Sequence, residues 1–274
     1  MQALSDLFYP IIARPRHTSD YREIPPDDRL KPYIRCFWGT PPAAAKKPQA
    51  PTLVIPDGCM DIVVTINHST GKLNAIFCGI NDAPFWADTA DPTELTSTFG
   101  IRFYFWAATV FADTGMRGAM NLFAHVDQYF GDFRAKMTET LLARPALSDR
   151  IAAAEAYLLQ RLQHPRPVSP TALNALYSII KSRGLIAVPD LCATLTVRPR
   201  QLERLLADCT GASPKKIADI VRFQMIWQDM LYGRSHSFSD LAYRYRFADQ
   251  AHFINSFKKF AGHAPLAALQ YARS

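Results

Sequence analysis

The pattern of apolar and polar positions changes character along the chain. From Tyr21 to about Val126 the apolar residues come in short runs: Leu53 to Ile55, Ile62 to Ile66, and TFGIRFYFWAATVF, where Phe99, Ile101, Phe103 and Phe105 share one face. A period of two is that of a strand with one buried face. Pro56-Asp57-Gly58 reads as a turn between two runs, and the Pro- and Ala-rich stretch 41–51 as an exposed loop. Several strands of this length predict a small barrel or sandwich. After residue 127 the period becomes helical. LSDRIAAAEAYLLQRL puts Leu147, Ile151, Ala154, Leu158 and Leu162 on one stripe, with Ser148 or Asp149 near its start. Such a stripe either packs on the β domain or pairs with its copy in a dimer. HPRPVSP, residues 164–170, is a rigid linker, so the expected domains are 1–165 and 166–274. The fold class is α+β in two domains: a small β-barrel domain with flanking helices, then an all-α domain.

The last quarter contains one design twice. LCATLTVRPRQLERLLADCTGASP and LAYRYRFADQAHFINSFKKFAGHAP each supply a short apolar helix, a tight turn and a longer helix. The longer helices carry apolar pairs four apart, Leu202 with Leu206 and Phe253 with Phe257, and close on Gly211 and Gly262 ahead of Pro214 and Pro265. Pro189 and Pro199 suit first turns, where a missing N–H costs nothing. Ser213 is placed to cap a long joining helix with Ile217, Ile220, Val221, Gln224, Trp227 and Leu231 at its period. Ser237-x-x-Asp240 is a capping-box-like start for the second copy. Each copy is a helix-turn-helix pattern whose second helix is free to enter a major groove. The outward residues are Arg200, Gln201 and Arg204 in the first copy, and Gln250, Ala251, Asn255 and Lys258 in the second.

Charge points the same way. The formal net charge is +7, and residues 166–274 hold 15 Lys and Arg against 7 Asp and Glu, whereas residues 1–165 are nearly balanced. Clustered cations are what phosphate neutralisation needs. The five cysteines, Cys36, Cys59, Cys78, Cys192 and Cys209, are scattered and show neither CxxC pairs nor zinc spacing, so disulfide scaffolding and a metal are not expected. Redox sensing by Cys36, Cys59 or Cys78 requires an exposed thiol of lowered pKa. No run approaches the ~20 apolar residues of a membrane span, and MQALSDLFYPIIARPR lacks the order of a secretory signal, so a cytoplasmic protein without a membrane partner is expected.

FADQAHFINSFKKFAGHAP, RPRQLERLL and SPKKIADIVRF resemble the DNA-binding domain of AraC/XylS-type transcription regulators over roughly residues 170–271. The resemblance implies two reading helices in successive major-groove segments of double-stranded DNA. By position they carry Arg198, Arg200, Gln201 and Arg204 in one, and Asp249, Gln250, Ala251, His252 and Asn255 in the other. Lys215, Lys258 and Lys259 are candidates for phosphate. His252 is alternatively a residue that braces the turn. Three positions depart from the pattern: Arg198 replaces a small capping Ser, Arg246 a turn Gly, and Asp229 a large apolar residue.

YIRCFWG, VIPDGCMDIVV and GIRFYF resemble the cupin-like amino-terminal domain of one subset of these regulators. Trp38, Trp86, Tyr104 and Trp106 either line an apolar effector pocket or form plain core. Asp57 serves the turn and Asp61 starts the strand, or the two act as a carboxylate pair. His17, His68, His125 and His164 are isolated, and GxSxG or dinucleotide signatures are missing from the sequence, so neither a catalytic cupin nor another enzyme is expected and no cofactor is implied. The expectation is a transcription regulator, with a small-molecule effector, RNA polymerase and a second copy of the chain as further partners. Homodimerisation falls to Leu147, Ile151, Leu158 and Leu162. The alternative is a regulator acting mainly through protein partners with weakened DNA binding.

Overall fold

A computed structural model describes residues 1–14, 21–40, 43–44, 51–87, 94–233 and 237–273. Its amino-terminal part contains α1 (Gln2–Ser5) and the strands β1 (Arg22–Ile24), β2 (Ile34–Gly39), β3 (Ala43–Ala44), β4 (Thr52–Val54), β5 (Cys59–Asn67), β6 (Lys72–Cys78), β7 (Phe85–Ala87), β8 (Leu95–Tyr104) and β9 (Phe123–His125). The principal sheet runs β1-β2-β8-β5-β6-β9, all antiparallel, with β3 also on β8; β4 and β7 form a separate ribbon. Among the described residues this path does not close, so of the expected barrel or sandwich the structure is two sheets. Ala43 and Ala44 pair with Thr96 and Leu95, which corrects the loop expected there; the rest of 41–50 lies outside the described residues.

Strand β8 is central because its alternation is strict. Phe99, Ile101 and Phe103 are fully buried, and Phe105 continues their face into the core. On the other face Gly100 lies opposite Trp38. A Cβ on Gly100 would come 2.0 Å from the indole, so only glycine lets that ring lie flat across the strand.

α2 (Ala108–Phe111) and a 3₁₀ turn precede α3 (Phe133–Ala143) and α4 (Leu147–Arg161). The predicted stripe is on α4, but it faces inward. Ile151, Ala154 and Leu158 are buried, and α4 packs on α3 and β8. Leu147 sits against Gly39 of β2, and Leu162 is half-buried against the same core. The surface that Ile151 and Leu158 would offer a second copy is therefore consumed within the chain, with Leu147 and Leu162 partly buried beside them, which corrects the seam expected on α4.

The carboxy-terminal part is helical: α5 (Pro170–Lys181), α6 (Val188–Leu195), α7 (Pro199–Thr210), α8 (Pro214–Leu231), α9 (Phe238–Arg244), α10 (Gln250–Ala261) and α11 (Pro265–Arg273). Pro at the first or second position opens α5, α6, α7 and α8, and Ser213 and Ser237 cap α8 and α9 as read from the sequence. Among the described residues no helix is long and apolar enough to cross a membrane.

The two parts share one continuous core, and α8 is its axis. The Gln224 side chain is fully buried there. Its amide donates to the carbonyls of Ile11 (3.2 Å) and Pro56 (2.8 Å), and its oxygen accepts from the Ile11 N–H (2.8 Å). The Trp227 indole donates to Ile12 O and Gln228 to Tyr9 O. A buried amide stays only where its polar atoms are satisfied. The amino-terminal segment is thus laced along the helix that joins the two copies of the repeat.

Candidate nucleic-acid interface

The two turns have one backbone. After α6, Thr196 takes φ 53, its N–H donates to Ala193 O (3.2 Å), and the Val197 N–H reaches Cys192 O (3.0 Å). After α9, Arg246 takes φ 54, its N–H donates to Tyr243 O (3.0 Å), and the Phe247 N–H reaches Ala242 O (2.8 Å). This Schellman-like closure satisfies helix-end carbonyls and requires a left-handed residue. Glycine adopts that conformation without a Cβ penalty, whereas Thr and Arg do so at a cost of roughly 1 kcal/mol.

α7 and α10 then present their outer faces. Leu202, Leu206 and Cys209 are buried on one, and Phe253, Phe257 and Ala261 on the other. Arg200, Gln201, Arg204, Ala251, Asn255, Lys258 and Lys259 are exposed. Most of the other predicted residues are engaged within the protein. Arg198 is the N-cap of α7 but its side chain makes no capping bond. Asp249 caps α10, accepting from the His252 N–H at 2.7 Å. His252 meets Phe247 edge-on at 5.3 Å and its Nδ1 faces the Ala248 N–H, so it braces the turn. Gln250 accepts from Ser239 Oγ (2.9 Å), which leaves its amide hydrogens for outward contacts. Lys215 pairs with Asp219 one turn along α8.

Asp229 explains its own departure from an apolar residue. Fully buried on α8, its carboxylate accepts from Arg183 (2.7 Å), Arg244 (2.9 Å) and the Tyr245 hydroxyl (2.9 Å). Burial alone would raise its pKa, but the hydrogen bonds from Arg183 and Tyr245 and the surrounding positive charge outweigh burial and lower it. Arg222 adds a guanidinium 3.7 Å over the Phe247 ring and donates to Tyr245 O. Residues following α5, on α8 and on α9 thereby converge, and the second unit is held to the first.

Both units also touch the amino-terminal domain. Trp86 is half-exposed on β7 and lies edge-on to His263 and Tyr271, while the Leu53 N–H donates to the Tyr271 hydroxyl. Asp82 accepts from Lys216 of α8. The four aromatics expected to line one pocket therefore do not line one together. Tyr104 and Trp106 stack at 4.5 Å in the core, Trp38 donates to Asp61 (2.8 Å), and Trp86 lies at the domain contact.

A different cavity of about 130 Å³ is lined by Tyr9, Ile11, Tyr21, Glu23, Arg35, Asp57, Arg102 and Tyr232, among others. Arg102 is its charged hub: it pairs with Glu23 (3.3 Å) and Asp61 (3.1 Å) and lies 3.8 Å from Asp57. Asp57 does serve the turn, accepting from the Cys59 N–H (2.9 Å). Burial, with the charge of Asp61, pushes its carboxyl up to about 6 against the pull of Arg102. Arg35 stacks 3.9 Å over Tyr9 and leaves its buried Nε without a partner. Sequence reading weighed Asp57 and Asp61 as a pair but missed the Arg102, Glu23 and Arg35 that complete the cluster; Arg102, opposite Asp61 in the sheet, was the local signal it did not use. Burial raises the thiols of Cys36 and Cys78 to about 12 and pushes that of Cys59 well up too, the reverse of a redox sensor.

Two left-handed turns, two outward helices and a buried joining helix define a tandem helix-turn-helix module. In agreement, residues 191–271 match the family described as a helix-turn-helix domain, of the AraC type, and residues 22–123 match a domain of unknown function, DUF6597. Residues 191–271 accordingly form a domain of this helix-turn-helix family. Similar solved structures include the C-terminal domain of AraT, a response regulator from Geobacillus stearothermophilus (24% identity, 39% of this chain and 88% of that chain, TM-score 0.35). Others are apo ToxT from Vibrio cholerae (11%, 94% and 99%, TM-score 0.41) and ToxT bound to (E)-4-(8-methylnaphthalen-1-yl)but-3-enoic acid (10%, 92% and 99%, TM-score 0.41). No curated protein matches the chain.

Proposed function

We propose that the protein is a sequence-specific transcription regulator whose α7 and α10 read successive major-groove segments on one side of double-stranded DNA. The observation that carries this reading is the repeated turn: Thr196 and Arg246 aim two exposed helix faces from one buried joining helix. Arg200, Gln201 and Arg204 serve the first segment; Gln250 and Asn255 serve the second, where an amide can bond adenine in two places. Lys258 and Lys259 contact phosphate. Residues 1–165 form the regulatory part and residues 166–274 the reading part. In footprints on a selected site, Arg204→Ala and Asn255→Ala should each weaken protection at a different patch, about one helical turn apart. Changes confined to a single shared patch overturn the two-groove reading.

A small-molecule effector fits the cavity beside Arg35. Tyr9 and Ile11 line that space and are also bonded to Gln228 and Gln224 of α8, so an occupant there bears on the joining helix. A thermal-shift screen of small carboxylates should find stabilisers whose effect disappears in Arg35→Ala. Stabilisers that act equally on the variant bind elsewhere.

A further inference from the structure

We infer that the DNA-facing surface of the first unit continues onto the amino-terminal domain, where Arg117 supplies a phosphate contact that the carboxy-terminal domain lacks. This rests on the reading of α7 as a DNA-reading helix. Asp208 lies on the same face of α7 as Gln201 and Arg204, one turn beyond Arg204, at the helix end where unpaired carbonyls already carry partial negative charge. Left alone, a carboxylate there repels the phosphate strand that borders the groove.

The amino-terminal domain covers it. Residues 115–119 form a hook anchored by the fully buried Met116 and Ala119. The Met116 N–H donates to Asp208 O (2.8 Å). Gly115 passes so close that a Cβ would stand 2.4 Å from the Asp208 carboxylate. Arg166 bonds both Thr109 (2.8 Å) and Asp208 (3.0 Å), which neutralises the acid. Arg117 stands at the hook's apex, its side chain 57% exposed, with one N–H on Arg204 O (3.4 Å) and its Nε 3.9 Å from Asp208. A guanidinium has five N–H donors, so most of those on Arg117 remain for another anion. Two cations now face one carboxylate, and the local charge turns from negative to positive. A helical turn rises about 5.4 Å and the major groove is about 12 Å wide, so a cation one turn beyond a central reading residue falls at the bordering phosphates.

The test is the salt dependence of binding of the intact chain to a labelled mixed-sequence duplex, followed by anisotropy, for wild type, Arg117→Ala and Arg117→Lys. Arg117→Ala should lower the slope of log affinity against log salt by about one and weaken binding about five- to tenfold near ~0.1 M salt. Arg117→Lys, which keeps the charge but not the fork, should retain the wild-type slope. A wild-type slope in Arg117→Ala overturns the inference and leaves the regulator reading standing. Equal losses in the Ala and Lys variants also overturn it, because they mark a docking role for the fork. A wild-type chain that binds no duplex even at low salt removes the regulator reading itself. Because Arg117 is exposed, both variants should keep the wild-type melting temperature. If Arg117→Ala does not fold, Arg117→Gln takes its place: a slope lowered by about one supports the contact, and a wild-type slope overturns it.

Discussion

Thr196 and Arg246 hold the same left-handed backbone, φ 53 and φ 54, at the same point of two units that share few side chains. The constraint belongs to the turn, since each residue must close the preceding helix and launch the next. Arg246 gains no packing there that requires its side chain, which is exposed. Arg246→Gly should therefore stabilise the protein, by up to about 1 kcal/mol after the extra freedom of glycine in the unfolded chain is set against the relieved strain. Urea unfolding of the two proteins checks this, and a destabilised glycine variant would show that the Arg246 side chain contributes more than strain costs.

Asp229 serves three donors from one buried position. Asp229→Asn keeps its shape, removes its charge and should cost about 1–3 kcal/mol, less than a wholly buried ion pair because Arg183 and Arg244 are partly exposed. Its lowered pKa means that this stabilisation is present above the ordinary carboxylate range and is lost as pH falls through the folded-state value. The difference between wild type and variant in chemical denaturation should thus shrink in acid. A constant difference would contradict the charge argument.

Asp57 behaves in the opposite sense. A carboxyl raised to about 6 binds its proton more tightly in the folded state, so its contribution is fully present below about pH 4 and lost as pH rises through 6. Asp57→Asn preserves the acceptor for the Cys59 N–H and removes the titration. Relative to wild type, it should be more stable at pH 8 than at pH 5, by about 1.4 kcal/mol. Stability curves that stay parallel between those pH values would place the Asp57 carboxyl in the ordinary range.

Ile151 and Leu158 belong to the core. Leu158→Ala should cost about 2–5 kcal/mol, and the pair Ile151→Asp with Leu158→Asp should not fold, because two carboxylates would be buried without partners. Circular dichroism of the double variant decides: a native-like folded monomer would show that α4 is a detachable surface.

Local pattern was sufficient for the reading helices. Leu202 with Leu206 and Phe253 with Phe257 fix inner faces by period, Pro199 and Ser213 mark starts, and Gly211 and Gly262 mark ends, because each signal acts within one or two turns of its own residue. The alternation of Phe99, Ile101 and Phe103 similarly specified a strand and its buried face. The same periodicity on α4 established a helix with one apolar side but not what that side meets. An apolar stripe is equally satisfied by a partner copy or by its own sheet, and the packing of β8 and α3 chose the latter.

What the sequence by itself determined was therefore the class of protein: two helix-turn-helix patterns, a joining helix and a basic carboxy-terminal half. Tertiary structure decided which polar residues act together. Gln224 meets Ile11 across 213 positions, Arg183 meets Asp229 across 46, and Arg117 meets Arg204 across 87. No local period encodes such pairings. Hydrogen bonds and ion pairs depend on positions within a few tenths of an ångström that only the packed core sets, whereas helix and strand patterns depend on neighbours along the chain.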